Sequence, residues 1–200
     1  MTTFLLIRHG ETDANGKWLA GWTPGLHLNA RGRRQAEYLA EVLATPVITA
    51  VYTSPLERAL ETAEPIARRH GLSPRPVQDL GELLFGDWEG MSFVELDGRE
   101  DWRRFNTCRG NVRPPGGELM MESQVRMARQ LECLAKRHPH EQIGLVSHGD
   151  PLRSLIAYCL GIPLDLMLRF EISPGSLSVV QSEPWGACVL SLNQTGEVPQ

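Results

Sequence analysis

The side chains with the clearest chemical reach stand at the end of an apolar run near the start of the chain. Residues 4–15 read FLLIRHGETDAN, in which four apolar side chains stop abruptly at Arg8, His9 and Gly10. A guanidinium grips an anion through paired hydrogen bonds, and an imidazole attacks or exchanges a proton near neutral pH. The set is suited to binding an anionic group and acting on it. Alone, the triplet is short and equally compatible with a structural or solvated histidine. Its standing rises because residues 143–147, IGLVS, form a second apolar run that also ends in His-Gly, at His148 and Gly149.

Both runs have the composition of buried parallel strands. In an open α/β sheet, ligands bind in the crevice beyond the carboxyl ends of such strands, so both imidazoles are expected to share one crevice. The segments between them alternate in period. Ala36, Leu39, Ala40 and Leu43 mark a helix over 30–43, which Pro46 ends. Residues 47–54, VITAVYTS, read as a second buried strand, and Pro55 opens a helix over 56–70 with Leu56, Ala59, Leu60, Ala63, Ile66 and Ala67 inward and Gly71 as its cap. A short strand over 75–80 leads into the loop GELLFGDWEG at 81–90.

Residues 92–122 are charged and broken by Pro114-Pro115-Gly116-Gly117, which predicts a helical insertion over the crevice rather than one continuous helix. Val125, Ala128, Leu131, Leu134 and Ala135 predict an amphipathic helix ending near His138-Pro139. After His148, Pro151 opens another helix, with Leu152, Leu155, Ile156, Cys159 and Leu160 as its stripe and Gly161 at its end. Two late runs, 176–181 and 187–192, are expected to pair as a hairpin, with a loose polar tail after Asn193. The alternation predicts an α/β fold: a three-layer helix-sheet-helix sandwich with a mostly parallel central sheet.

Two hundred residues with 42% hydrophobic content suit one domain over 1–200 with a sizeable core. A net charge of −4 and a pI near 5.9 argue against a nucleic-acid surface, so any anion must be caught locally. Cys108, Cys133, Cys159 and Cys188 are far apart with no CxxC, which argues against a zinc knuckle or a redox pair and for reduced thiols. No basic leader and no apolar run near the roughly 20 residues of a membrane span are present, so a cytoplasmic location without membrane partners is expected.

Five blocks, LIRHGETDAN, SPLERALETA, ELLFGDWEG, PPGGE and LVSHGDPLR, occur in that order across residues 5–153. In this the chain resembles the histidine phosphatase superfamily, also called the phosphoglycerate mutase-like family. The resemblance implies a phosphoglycerate mutase-like fold and a phosphoryl-transfer enzyme whose nucleophile, His9, becomes phosphorylated. It assigns Arg8, Arg58, Glu82 and His148 to the catalytic set and Asn15 to the phosphate side, with no metal or organic cofactor. One departure follows PPGGE, where the family often has a small hydroxyl residue and this chain has Leu119, Met120 and Met121. These residues form either an apolar wall near the substrate or gap-filling core.

Elementary chemistry supports the same roles. Phosphoryl transfer is mostly positioning and stabilisation of charge on equatorial oxygens. Arg8 and Arg58 offer planar forks, His148 adds a third donor if protonated, and the Gly149 amide near a helix start is a further donor. His9 attacks as the neutral imidazole, which neighbouring arginines favour. The leaving alkoxide needs a proton, and Glu82, rather than Asp87 or Glu89, is the expected acid, its pKa raised beside Leu83, Leu84 and Phe85.

Periodicity alone makes Arg58 a solvated residue, because it lies opposite the apolar stripe of its helix; its place in the first turn after a strand, where residues face the crevice, and its motif assign it to phosphate. Trp18, Trp22 and His27 are read as either substrate-lining or structural. Asp87, Trp88 and Glu89 are expected to fix the Glu82 loop. His70, His138 and His140 are expected to be solvated or capping. Arg99, Arg103, Arg104, Arg109 and Arg113 alternate with acids as a self-compensating surface from which one or two arginines reach a second anionic group of the substrate.

Three activities are compatible with this set. In a phosphatase, water attacks phospho-His9 to release phosphate from a small phosphomonoester. In a cofactor-dependent phosphoglycerate mutase, the phosphoryl group returns to another hydroxyl. In a noncatalytic phosphate-binding protein, the nucleophile or the acid is usually lost. The short chain favours the phosphatase, since mutases of the family usually carry longer insertions, and the complete residue set argues against the noncatalytic reading.

Overall fold

The computed structural model describes residues 1–196. Strands β1 (Thr2–Arg8), β2 (Ala50–Thr53), β3 (Arg75–Pro76), β4 (Gln142–Ser147), β5 (Leu177–Glu183) and β6 (Gly186–Gln194) form one sheet in the order β3-β2-β4-β1-β5-β6. The β1–β4, β2–β4 and β2–β3 pairs are parallel, and β5 and β6 add an antiparallel edge. The expected α/β sandwich with a mostly parallel sheet is therefore observed, as is the late hairpin.

Alternation along β1 explains the three layers, because successive side chains of a strand point to opposite faces. Leu5 and Ile7 pack with Val51 and Val146 against α1 (Ala30–Val42) and α2 (Glu57–Arg69). Phe4 and Leu6 pack with Ile143 and Leu145 against α5 (Met120–Arg137) and α6 (Gly149–Leu160). A third cluster lies under α3 (Phe93–Asp97) and α4 (Glu100–Thr107), where Trp88 meets Trp102 and Phe105 edge-on at 5.4 Å. It anchors the 81–90 loop from below.

Local signals set the element ends. The Asn29 side chain accepts the Gly32 amide at 2.8 Å and starts α1, and Gly161, at φ 66°, supplies the left-handed turn that ends α6. Gly10 and Gly32 let α1 approach the loop after β1, since a Cβ on Gly10 would lie 2.5 Å from the Gly32 carbonyl oxygen.

Several expectations need correction. β2 begins at Ala50 rather than 47, and the strand expected over 75–80 is two residues followed by a 3-10 turn at Gln78–Leu80. The helical part of the 92–122 insertion stops at Thr107. Residues 120–122 belong to α5, whose start Glu122 supports by accepting the Leu119 amide at 2.9 Å. The buried face of α5 is Met120, Ser123, Met127, Ala128, Leu131 and Leu134, whereas Val125 is exposed. Of the tail expected to be loose after Asn193, Gln194 closes β6, and 197–200 lie outside the described residues. No helix of the described residues is long and apolar enough to cross a membrane.

Candidate active site

The register of β1 against β4 builds the centre of the site. Arg8 pairs with Ser147, the His9 amide donates to the Ser147 carbonyl at 3.0 Å, and both chains then leave the sheet at its carboxyl edge. His9 and His148 emerge side by side with ring centroids 5.0 Å apart. The cleft beside them is lined by Arg8, His9, Asn15, Arg58, Glu82 and Gly149, together with Trp18, Leu19, Phe85, Phe93, Asp150 and Arg153.

His9 is oriented by its own loop. Its Nδ1–H donates to the Gly10 carbonyl at 2.7 Å, which leaves Nε2 unprotonated, and the Nε2 lone pair accepts from Arg58 Nε at 3.3 Å. Burial, Arg58 and Arg8 push the His9 pKa well below the ordinary histidine value, so the ring is neutral at pH 7. A neutral imidazole whose Nε2 lone pair is held only by a long bond from Arg58 can act as a nucleophile or a base.

Arg58 is 1% exposed although helical periodicity assigns it to solvent. The loop after β1 covers it, with the Gly21 carbonyl accepting from Nη2 at 2.8 Å. Thr62, one turn along α2, bonds the Arg58 carbonyl at 2.7 Å and receives the Gly10 amide at 3.0 Å, tying the arginine to the histidine loop. Arg8 is fixed by the Ile172 carbonyl at 2.6 Å. Three buried nitrogens, Arg8 Nε, Arg58 Nη1 and His148 Nδ1, have no partner among the described residues. Buried donors are ordinarily satisfied, so three beside the His9 imidazole are suited to receive an anion's oxygens.

Glu82 enters on the 81–90 loop. Its Oε1 accepts the Leu83 amide at 2.8 Å and its Oε2 lies 3.9 Å from His148 Nδ1. Burial first, and the Asp150 charge second, push its pKa up to about 7 against the opposing pull of Arg58. The loop is held from several sides. Trp22 Nε1 and Arg126 Nη2 donate to the Glu82 carbonyl at 2.8 and 3.1 Å, and Arg126 pairs with Glu118 at 2.8 Å. Glu89 accepts the Phe85 and Trp22 amides, each at 3.1 Å, as expected of a loop-fixing residue.

Other expectations divide. Asn15 lines the cleft, but its Oδ1 closes a turn with the Thr12 amide and hydroxyl. Trp18 lines the cleft, Trp22 is structural, and His27 pairs with Glu61 at the surface. The apolar wall is made by Trp18, Leu19, Phe85 and Phe93, whereas Met120 is core, Met121 is exposed, and Leu119 does not line the cleft. His148 does not face the site as a cation, because burial with Arg58, His9 and Arg8 pushes its pKa well below the ordinary value. His138 caps the end of α5, as one of its two expected roles had it, but is buried rather than solvated, bridging Tyr52 Oη and Glu141 at 2.9 Å each.

None of the five insertion arginines lines the cleft; the cation that does, besides Arg8 and Arg58, is Arg153. Arg109 is buried, paired with Asp150 at 2.7 Å and stacked over Phe105. Burial works against the Asp150 charge, but Arg109 and Arg153 outweigh it and hold the carboxyl below its ordinary value. Sequence reasoning missed this pair, as it missed Thr62 and Arg126. Among the described residues, no group of three or more His, Cys, Asp or Glu is placed to hold a metal ion.

A neutral imidazole beside unpaired buried donors and a carboxyl whose pKa is pushed up to about 7 is an arrangement suited to phosphoryl transfer. Residues 4–195 match the histidine phosphatase superfamily (branch 1), and the chain belongs to that superfamily. It is 32% identical over 199 residues to phosphoserine phosphatase 1 of Hydrogenobacter thermophilus, covering 98% of this chain and 93% of the relative. It is 31% identical over 190 residues to the adenosylcobalamin/alpha-ribazole phosphatase of Escherichia coli, covering 94% of each. Among solved structures, YhfR of Bacillus stearothermophilus superposes with a TM-score of 0.93 over 100% of both chains at 28% identity.

Proposed function

We propose that the chain is a phosphomonoester hydrolase that acts on a small phosphorylated metabolite through a phosphohistidine at His9. The observation that carries this reading is the trio of buried, unpartnered nitrogens Arg8 Nε, Arg58 Nη1 and His148 Nδ1 on the residues beside His9, whose unprotonated Nε2 accepts from Arg58 Nε. The names of the phosphoserine and alpha-ribazole phosphatases among its relatives agree with it.

The reaction divides into two displacements. His9 Nε2 attacks phosphorus while Arg8, Arg58, His148 and the Gly149 amide hold the equatorial oxygens. The ester P–O bond breaks, and the leaving alkoxide takes the proton of the Glu82 carboxyl. Water then attacks phospho-His9 and returns a proton to the Glu82 carboxylate. The P–N bond breaks and inorganic phosphate leaves. A carboxyl with a pKa pushed up to about 7 is half protonated near neutral pH, which suits an acid that must become a base in the second step. The incoming phosphate charge raises it further.

The test is a screen of phosphomonoesters for inorganic phosphate, without a bisphosphorylated primer. Stoichiometric release by the wild type, abolished in His9→Ala, supports a phosphatase. Isomerisation with a primer and little free phosphate would overturn it in favour of a mutase, and phosphate binding without turnover would overturn it in favour of a binding protein.

A further inference from the structure

Ser54 directly follows β2 and is fully buried, with no role in the mechanism above. Its Oγ lies 2.7 Å from His148 Nε2 and accepts the Leu56 amide at 3.3 Å. These are the only hydrogen bonds of that oxygen among the described residues. A hydroxyl has one proton to give, and an imidazole nitrogen either gives or takes one.

If His148 Nε2 carried the proton, it would donate to Oγ, and the Ser54 hydroxyl hydrogen would be left buried without an acceptor. His148 Nδ1 would then have no hydrogen to offer an anion, and its bare lone pair would face the Glu82 carboxyl, 3.9 Å away, unfavourably whenever that carboxyl is ionised. If the hydroxyl donates instead, both faults vanish: Oγ gives to Nε2 and takes from Leu56, and Nδ1 carries a hydrogen aimed at the cleft.

We propose that Ser54 is a positioning residue that locks His148 in its neutral Nδ1–H tautomer, so that the ring offers a hydrogen-bond donor to the phosphoryl group without carrying a charge. Both active-site histidines then share one tautomer but show the cleft opposite edges. His9 gives its Nδ1–H to the Gly10 carbonyl and presents a lone pair, and His148 receives the Ser54 proton at Nε2 and presents an N–H. The charged and titratable groups around His148 are Arg8, Arg58, His9, Arg126 and Glu82, and the four besides Glu82, with burial, disfavour an imidazolium. The socket therefore gains a third donor without a third cation to repel Arg8 and Arg58.

The tautomer is a property of the free protein, whereas its catalytic consequence rests on the phosphatase reading. The first measurement is the 15N spectrum of the wild-type imidazoles without substrate at pH 7, with His148 assigned by loss of its signals in His148→Asn. A pyrrole-like shift at Nδ1 and a pyridine-like shift at Nε2 are expected. The reverse pattern, or two pyrrole-like nitrogens, overturns the proposal whether or not any ester is hydrolysed.

The second measurement is Ser54→Ala. Loss of the hydroxyl is expected to release the tautomer to a mixture or to Nε2–H. It should also lower kcat by at least about 10-fold, toward the 10²–10³-fold cost of removing one preorganised donor, with both effects restored in Ser54→Thr. An unchanged His148 spectrum and kcat in Ser54→Ala would overturn the proposal. If the variant does not fold, the wild-type spectrum alone decides it.

Discussion

Replacing Glu82 by Gln separates the acid role from mere positioning, because the same raised pKa governs both stability and rate. Burial lifts the carboxyl from 4.5 to about 7 in the folded chain. A rise of about 2.5 in pKa corresponds to roughly 3 kcal/mol, at 1.36 kcal/mol for each pKa unit. The native carboxyl binds its proton more tightly than the unfolded one, so wild-type stability is undiminished below about pH 4.5. It falls as pH rises toward 7 and carries the full cost above that.

Glu82→Gln removes this dependence. The variant is therefore expected to gain stability relative to wild type between pH 4.5 and 8, by up to about 3 kcal/mol, in urea unfolding measured at a series of pH values. In parallel, its kcat/KM for an alkyl phosphate should fall about 10²- to 10⁴-fold, the usual contribution of a general acid. Nitrophenyl phosphate, whose leaving group departs without a proton, should suffer far less. A stability difference that does not change with pH, or equal losses for the two leaving groups, would refute the assignment.

Arg58→Lys keeps the charge but loses the fork that spans His9 Nε2 and the Gly21 carbonyl, so kcat/KM should drop about 10²- to 10³-fold in steady-state assays. Arg109→Met leaves Asp150 buried with only Arg153, at 3.7 Å, as a partner, and should cost about 3 kcal/mol in denaturant unfolding at pH 7. Gly10→Ala forces a methyl against the Gly32 backbone, which cannot swing away. Unfolding should show a loss of about 1–3 kcal/mol, and kcat should fall because the Gly10 carbonyl orients His9.

The parts of the site that were legible in the sequence are those a single strand pattern encodes. Two apolar runs ending in His-Gly fix two parallel strands, and the β1–β4 register then brings His9 and His148 together. Arg58 was legible through its motif and its place just after a strand, not through helical periodicity, because the loop around Gly21, and not its own helix, buries it. Arg109 looked solvated because its neighbours alternate in charge, yet Asp150, 41 positions away, neutralises it inside the fold. Tyr52 and Glu141 similarly enclose His138 across the sheet. Ser54 carries no periodic signal at all, and its meaning depends on which nitrogen of a distant ring it meets. Local pattern thus reports strands and helix faces, while the polar contacts that complete the cleft arise between segments whose spacing in the chain carries no information.

The central claim is that His9 Nε2 takes the phosphoryl group. Rapid mixing with a turned-over phosphomonoester, quenching in base and peptide mass spectrometry reads this directly. An acid-labile phosphoryl group is expected on the peptide containing His9, formed within the first turnover and absent from His9→Ala. Turnover without a phosphorylated His9, or with the group on another residue, would contradict it.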